Sequence, residues 1–191
     1  MADMSAYHIV SVHFPTALWM ASSLLILIRA LSTGTLGQAC DRALPVFLVL
    51  GVVFGLLAYG IGLLVWPWET VASTPMGRNH MLTATWSLAF FTLLAVIRLL
   101  HGPAVWQGLT RWVMLVLSGV GVVLVGVTGT LGGHLLGNYT DLSRILLELG
   151  WDVYTTYYVP TWTLGALAGL SLALVVLGLP ARPRRAEPTG N

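Results

Sequence analysis

Residues Leu44–Trp66 read LPVFLVLGVVFGLLAYGIGLLVW, a run without a single charged side chain. Wound as an α-helix at about 1.5 Å per residue, it is long enough to cross the roughly 30 Å of a bilayer's hydrocarbon core. The run is continuously apolar and shows no alternation, which argues against a barrel strand. Four more apolar segments follow the same pattern: Ser5–Leu31, His80–Leu100, Trp112–Leu136 and Val159–Leu179. The whole chain is 57% hydrophobic and 8% charged, against roughly 25% charged in an ordinary soluble domain. These runs predict an all-α integral membrane protein with five transmembrane helices. Four would form an antiparallel core and the fifth an added span, in one bundle over residues 1–180 with a cytoplasmic tail over 181–191. Pro15 falls inside the first span, where it predicts a kink that frees the Ser11 carbonyl.

Arginine supplies all the basic charge, since the chain has no lysine. Arg29, Arg42, Arg98, Arg111, Arg182, Arg184 and Arg185 fall on one side of the five-span topology. The other side carries Arg78 and Arg144 beside Asp3, Glu69, Asp141, Glu148 and Asp152. The positive-inside rule makes the arginine-rich side cytoplasmic. That predicts a multi-pass protein of a bacterial inner membrane, with its N-terminus periplasmic and its C-terminus cytoplasmic. The formal charge of +2 is too small and too local to argue for a nucleic-acid partner. A lone cysteine, Cys40, leaves no intrachain disulfide, no CxxC metal clip and no CxxCH haem attachment. The N-terminus lacks a basic region and a small-residue cleavage pattern, and is read as retained. Between spans four and five, Leu142, Ile145, Leu146 and Leu149 recur at helical spacing, with Thr140 or Asp141 as N-cap. They predict an amphipathic helix on the periplasmic surface, either an anchor or a lid.

The histidines crowd one face of this topology. His8 and His13 lie at the outer end of span one, His80 opens span three, and His134 closes span four. Only His101 falls at the cytoplasmic end, beside Arg98. Imidazoles from facing helices are how a helix bundle holds a haem or a metal ion, so His8, His13, His80 and His134 are the candidate cofactor-binding and metal-ligating residues. Zinc prefers a closed N/S set or three protein ligands with an open position, and copper binding through imidazole is the alternative metal chemistry. Haem b suits the surroundings better. Gly51, Gly55, Ala58 and Gly62 in span two, and Gly119, Gly126, Gly129 and Gly133 in span four, let backbones approach a flat group, although the same spacing serves ordinary helix packing. His8 and His13 are about 140° apart on one helix and do not readily ligate one iron. With spans one and three diagonal across the core, His13 and His80 are the expected axial pair. His134 and His8 are left for a second haem, a propionate or a quinone pocket.

The segments HIVSVHFPTALW (His8–Trp19) and GTLGGHLL (Gly129–Leu136) together resemble the bacterial membrane protein family DUF2231. Members of that family open with an HPxxVHFPxAL-like motif and close the fourth span with a GxLGGxLVYxHG-like motif. His8, His13, Phe14, Pro15, Ala17 and Leu18 match the first motif, with Ile9 where its first proline stands. His80 takes the position of the third-span histidine, and Gly132 and Gly133 that of the glycine pair. The usual acidic residue after that pair is His134 here, and the family's later histidine falls at Tyr139. The resemblance covers the first four spans and implies a small membrane protein, in some cases associated with cytochromes.

These readings converge on a membrane b-type cytochrome subunit that carries electrons between a periplasmic redox partner and the quinone pool. The partner would be a dehydrogenase or a cytochrome c, with other membrane subunits alongside. One haem b or two, and a quinone, are the expected cofactors. Trp66, Trp68, Glu69 and Trp151 would form a quinone rim or a simple aromatic belt. The alternatives are a non-haem copper or zinc site on the same four histidines, and a structural or assembly subunit. No span places an acid or base at mid-membrane to couple a transported ion, and no nucleophile–base set or phosphate loop is present.

Overall fold

A computed structural model describes residues 4–157 and 162–178. The described residues form helices and turns, with no strand among them. The helices are α1 Met4–Leu31, α2 Thr35–Gly62, α3 Trp68–Ala72, α4 Pro75–His101, α5 Gly108–Leu135, α6 Asp141–Glu148 and α7 Trp162–Gly178, with a 3-10 turn at Gly102–Trp106 between α4 and α5. Four of them, α1, α2, α4 and α5, are long and apolar enough to cross a membrane. Their outward faces are rows of Leu and Val, such as Val46, Val49, Val53 and Leu57 on α2 and Val113, Val116, Val120 and Val123 on α5. Such a surface suits lipid rather than water.

Two antiparallel hairpins, α1–α2 and α4–α5, pack side by side. Helix α1 also touches α5, and α2 also touches α4. The ring order is therefore α1, α2, α4, α5, and α1 faces α4 across the diagonal. Helix α7 leans on the outside of α4. It covers most of the expected fifth segment, while residues 159–161 and 179, and the tail over 181–191, lie outside the described residues. Helix α6 folds back on α5, burying Leu146 and Leu142 against Val127 and Leu131. Helix α1 runs unbroken through Pro15.

One boundary differs instructively from the sequence reading. Helix α2 begins at Thr35 rather than near Leu44, because the Asp41 charge that seemed to break the span is neutralised inside the bundle and Arg42 points out of it. Asp41 accepts hydrogen bonds at 2.7 Å from both Arg98 Nη2 and Trp106 Nε1, and Arg29 stands 3.9 Å away. Pro45 lacks the N–H that would bond the Asp41 carbonyl one turn back. Arg98 Nη2 fills that vacancy too, at 3.2 Å. This clamp ties α1, α2, α4 and the 3-10 turn together at the end opposite the histidine-rich one.

The opposite end is shaped by caps. Thr74 Oγ1 accepts from Gly77 N at 3.1 Å and starts α4. Helix α5 stops at a left-handed Gly137 (φ 79°), with Gly137 N–H bonded to His134 O and Asn138 N–H to Gly133 O. That is a Schellman ending, which satisfies the last carbonyls. The segment after α6 is pinned to the start of α4 by Asn79 Nδ2, which donates to Thr156 O at 2.7 Å, and by Arg78 stacked 4.2 Å over Tyr157.

The two hairpins repeat each other residue by residue. Trp19 lies eleven residues after His8, and Phe91 eleven after His80. Trp19 packs on Gly51, eleven residues before Gly62, and Phe91 packs on Gly121, eleven before Gly132. The two aromatic rings stack face to face across the bundle axis, 4.9 Å between centroids and 6° from parallel. An approximate twofold axis thus runs down the bundle, relating α1 to α4 and α2 to α5.

Candidate functional site: a histidine-lined cavity

Above the Trp19–Phe91 stack the four helices part around a cavity of about 710 Å³. That volume lies within the range of small-molecule and cofactor sites, roughly 300–1,000 Å³. Its walls include His8, His13, His80, Tyr59, Trp19 and Gly132. Trp66, Trp68 and Val71, from the α2–α3 corner and α3, also line it.

His8 and His80 occupy equivalent seats. His8 Nδ1–H donates to the Ala58 carbonyl of α2 at 3.1 Å, and His80 Nδ1–H donates to the Thr128 carbonyl of α5 at 3.0 Å. In each case the ring rests on the glycine four residues beyond that carbonyl. A methyl group added at Gly62 would lie 2.7 Å from His8 Cε1, and one at Gly132 would lie 3.0 Å from His80 Cε1. Only glycine leaves room for an imidazole laid flat on the neighbouring helix. The backbone bond fixes the tautomer and leaves Nε2 as the unprotonated nitrogen, the arrangement found at ligating histidines. His8 and His80 stand on diagonal helices and line the same cavity.

His13 also lines the cavity but stands exposed at its side. Its Nδ1–H donates within its own helix to Ile9 O, at 2.6 Å, so it too presents a free Nε2. The structure thus brings His8, His13 and His80 to one cavity, and sets His8 rather than His13 as the counterpart of His80.

His134 is placed elsewhere. It lies two residues beyond Gly132, on the opposite face of α5, and lines a separate recess of about 550 Å³ with Tyr139, Tyr154, Asp141 and Arg144. There its Nδ1 shares a 2.8 Å hydrogen bond with the Tyr154 hydroxyl, and its ring meets those of Tyr139 and Tyr154 edge-on. Helix α6 borders this recess rather than the larger cavity. Trp66 and Trp68 reach the cavity, whereas Trp151 packs with Val127 and Leu131. His101 ends α4 at the far end of the bundle.

The fit to each candidate group follows from donor count and shape. Among the described residues, no three His, Cys, Asp or Glu side chains converge on a point where they could hold a metal ion. A copper or zinc site in the cavity would therefore lack the three protein ligands that such sites use. For a haem, His8 and His80, on diagonal helices and lining one largely apolar cavity, are the residues that would hold it. Gly62 and Gly132 keep the flanking backbone close to the two rings. Comparison of the chain with protein-family models, with curated proteins and with solved structures finds no match.

Proposed function

We propose that this chain is a membrane-bound b-type cytochrome that holds one haem b between His8 and His80. The observation that carries this reading is the repeated seat: two imidazoles on diagonal helices, each fixed at Nδ1 by a carbonyl and laid on a glycine, both lining the same cavity. A planar group with two equivalent faces is the ligand that such a pair suits. Haem supplies one-electron redox chemistry when bound. The chain's own contribution is to hold the two ligand nitrogens in one tautomer, to wall the group with apolar side chains and to floor it with Trp19, which Phe91 backs. Burial and bis-imidazole ligation are the levers by which the protein would set the potential.

The finer assignments belong to the same proposal. The helices sit in a bacterial inner membrane with the cavity end periplasmic, α6 on that surface, α7 as a fifth span and the Asp41 clamp cytoplasmic. Electrons pass between a periplasmic dehydrogenase or cytochrome c and the quinone pool, with further membrane subunits as neighbours. Among the described residues His8 and His80 are the two cavity histidines in equivalent seats, so one haem is the number proposed. Membership of the DUF2231-like family is part of the reading, because its first-motif and third-span histidines correspond to His8 and His80.

A dithionite-minus-oxidised spectrum and a pyridine haemochrome assay on the detergent-purified protein test it. A sharp α-band at one haem per chain, lost in both His8→Ala and His80→Ala, is the expected result. A featureless spectrum from well-folded protein would overturn it. A second reading, a structural or assembly subunit, draws on the same hydrogen bonds, since each imidazole already anchors a helix pair. It predicts that alanine at His8, His13, His80 and His134 leaves a partner complex assembled and active.

A further inference from the structure

The approximate twofold axis also shows where the two halves differ. Thr85 lies five residues after His80, and Tyr59 three before Gly62. These two close the seam between α4 and α2. Thr85 Oγ1–H donates to the Met81 carbonyl at 2.8 Å, so the Tyr59 hydroxyl donates to Thr85 Oγ1, also at 2.8 Å. The symmetry-related seam lies between α1 and α5. Its residues are His13, five after His8, and Gly129, three before Gly132.

His13 copies the role of Thr85: its Nδ1–H donates to the carbonyl of Ile9, the residue equivalent to Met81, which leaves Nε2 of the neutral ring as an acceptor. The phenol is missing. Gly129 stands where Tyr59 stands in the other half, and a Cβ built there meets nothing within 4 Å. Both His13 and Gly129 line the cavity, and His13 is exposed. Phe14 stacks on Phe54 of α2 at 5.2 Å, which puts α2 on the Phe14 flank of α1, with His13 about 100° around the helix from it. The second seam therefore has open space at Gly129 and a second ring nitrogen on His13 where the first has the Tyr59 hydroxyl bonded to Thr85. An exposed imidazole on an apolar helix is costly unless it is used.

We propose that the α1–α5 seam binds a lipid-soluble hydroxyaromatic of the hydroquinone class. Its ring takes the place that Tyr59 fills in the α2–α4 seam, and its hydroxyl donates to His13 Nε2. The ligand enters sideways from the lipid, since the seam lies between two helices long and apolar enough to cross a membrane. The binding site stands on this geometry alone; only its use as an electron source rests on the haem reading.

The test is an anaerobic titration of the purified protein with a short-tailed 1,4-hydroquinone, followed by tryptophan fluorescence and by the ¹⁵N shift of His13. Wild type is expected to bind one equivalent, with the Nε2 resonance moving. Gly129→Tyr rebuilds the missing phenol and should weaken binding at least tenfold. His13→Phe, and separately the dimethyl ether of the probe, should each weaken it roughly tenfold, the worth of one buried hydrogen bond. The two losses should not add. If Gly129→Tyr fails to fold, the His13→Phe and dimethyl ether pair carries the test. Absence of saturable binding, or binding indifferent to both variants and to methylation, would overturn the proposal. A haem protein that ignores hydroquinone refutes this site alone, and a hydroquinone binder without haem refutes the cytochrome reading alone.

Discussion

Gly62→Ala and Gly132→Ala probe the histidine seats directly, because each adds one methyl group where an imidazole lies. At Gly62 the new carbon would sit 2.7 Å from His8 Cε1 and 3.1 Å from Nδ1. Ordinary contact begins near 3.4 Å, so the ring must retreat by about 0.7 Å. That retreat stretches the 3.1 Å bond to Ala58 O beyond hydrogen-bonding range. Its loss costs about 1 kcal/mol, and the tautomer is no longer held. At Gly132 the overlap is milder, 3.0 Å to His80 Cε1, and a shift of about 0.4 Å weakens the bond to Thr128 O without breaking it. Metal–ligand distances tolerate only about 0.2 Å, so both shifts matter for ligation. The expected order of damage is Gly62→Ala, then Gly132→Ala, with Gly119→Ala silent, since a Cβ at Gly119 meets nothing within 4 Å. Histidine ¹⁵N shifts read the loss of the Nδ1 bond whether or not a cofactor is bound, and haem stoichiometry with midpoint potential reads its consequence. If the Gly62 and Gly132 variants match Gly119→Ala in both readouts, the seats do not position the rings and the argument fails.

Three further outcomes follow from other parts of the molecule. Asp41→Ala strands the Arg98 guanidinium, whose side chain is 9% exposed, and should cost about 3–5 kcal/mol; an unchanged denaturation midpoint in detergent would show that the clamp is slack. His134→Phe should leave haem content and spectrum at wild-type level, because His134 lines the Tyr139–Tyr154 recess and not the cavity; a lost α-band would place a ligand there after all. Asn79→Ala removes the bond that pins Thr156 and should weaken that loop by about 1–3 kcal/mol, seen as faster proteolysis within residues 150–157 with cavity spectra unchanged.

Much of this architecture was legible in the sequence because lipid-facing helices carry a strong signal: long apolar runs cannot be much else. What was lost came from side chains whose partners lie far along the chain. Asp41 and Arg42 read as a break before span two, since nothing local says that Arg98 and Trp106 will neutralise Asp41. His134 was grouped with the other histidines by depth, which sequence reports well, and not by direction. Its distance of two residues from Gly132 already put it about 200° around the helix from the cavity wall. The eleven-residue spacing from His8 to Trp19 and from His80 to Phe91 is visible there too. It does not stand out as a repeat because the hairpins diverge beyond it, Arg29 and Arg98 standing twenty-one and eighteen residues after their histidines. Small residues at helix contacts, such as Gly51 and Gly121, are also too common in membrane bundles to announce a repeat.

The repeat supplies a reason to treat the two kinds of position differently. Where the halves agree, at His8 and His80 with their carbonyls and glycines, the arrangement suits something that presents the same face to both. Where they disagree, at Tyr59 and Thr85 against Gly129 and His13, one half has closed its seam with a side chain and the other has left the space and the acceptor. A bundle shaped by packing alone would gain from filling both seams, since a ring the size of tyrosine buries a large apolar area. An open seam beside an exposed imidazole forgoes that gain on one side only. The asymmetry is therefore the more informative feature for the proposed function: the agreeing residues would hold a group in place, and the disagreeing ones would give a second molecule a route to it.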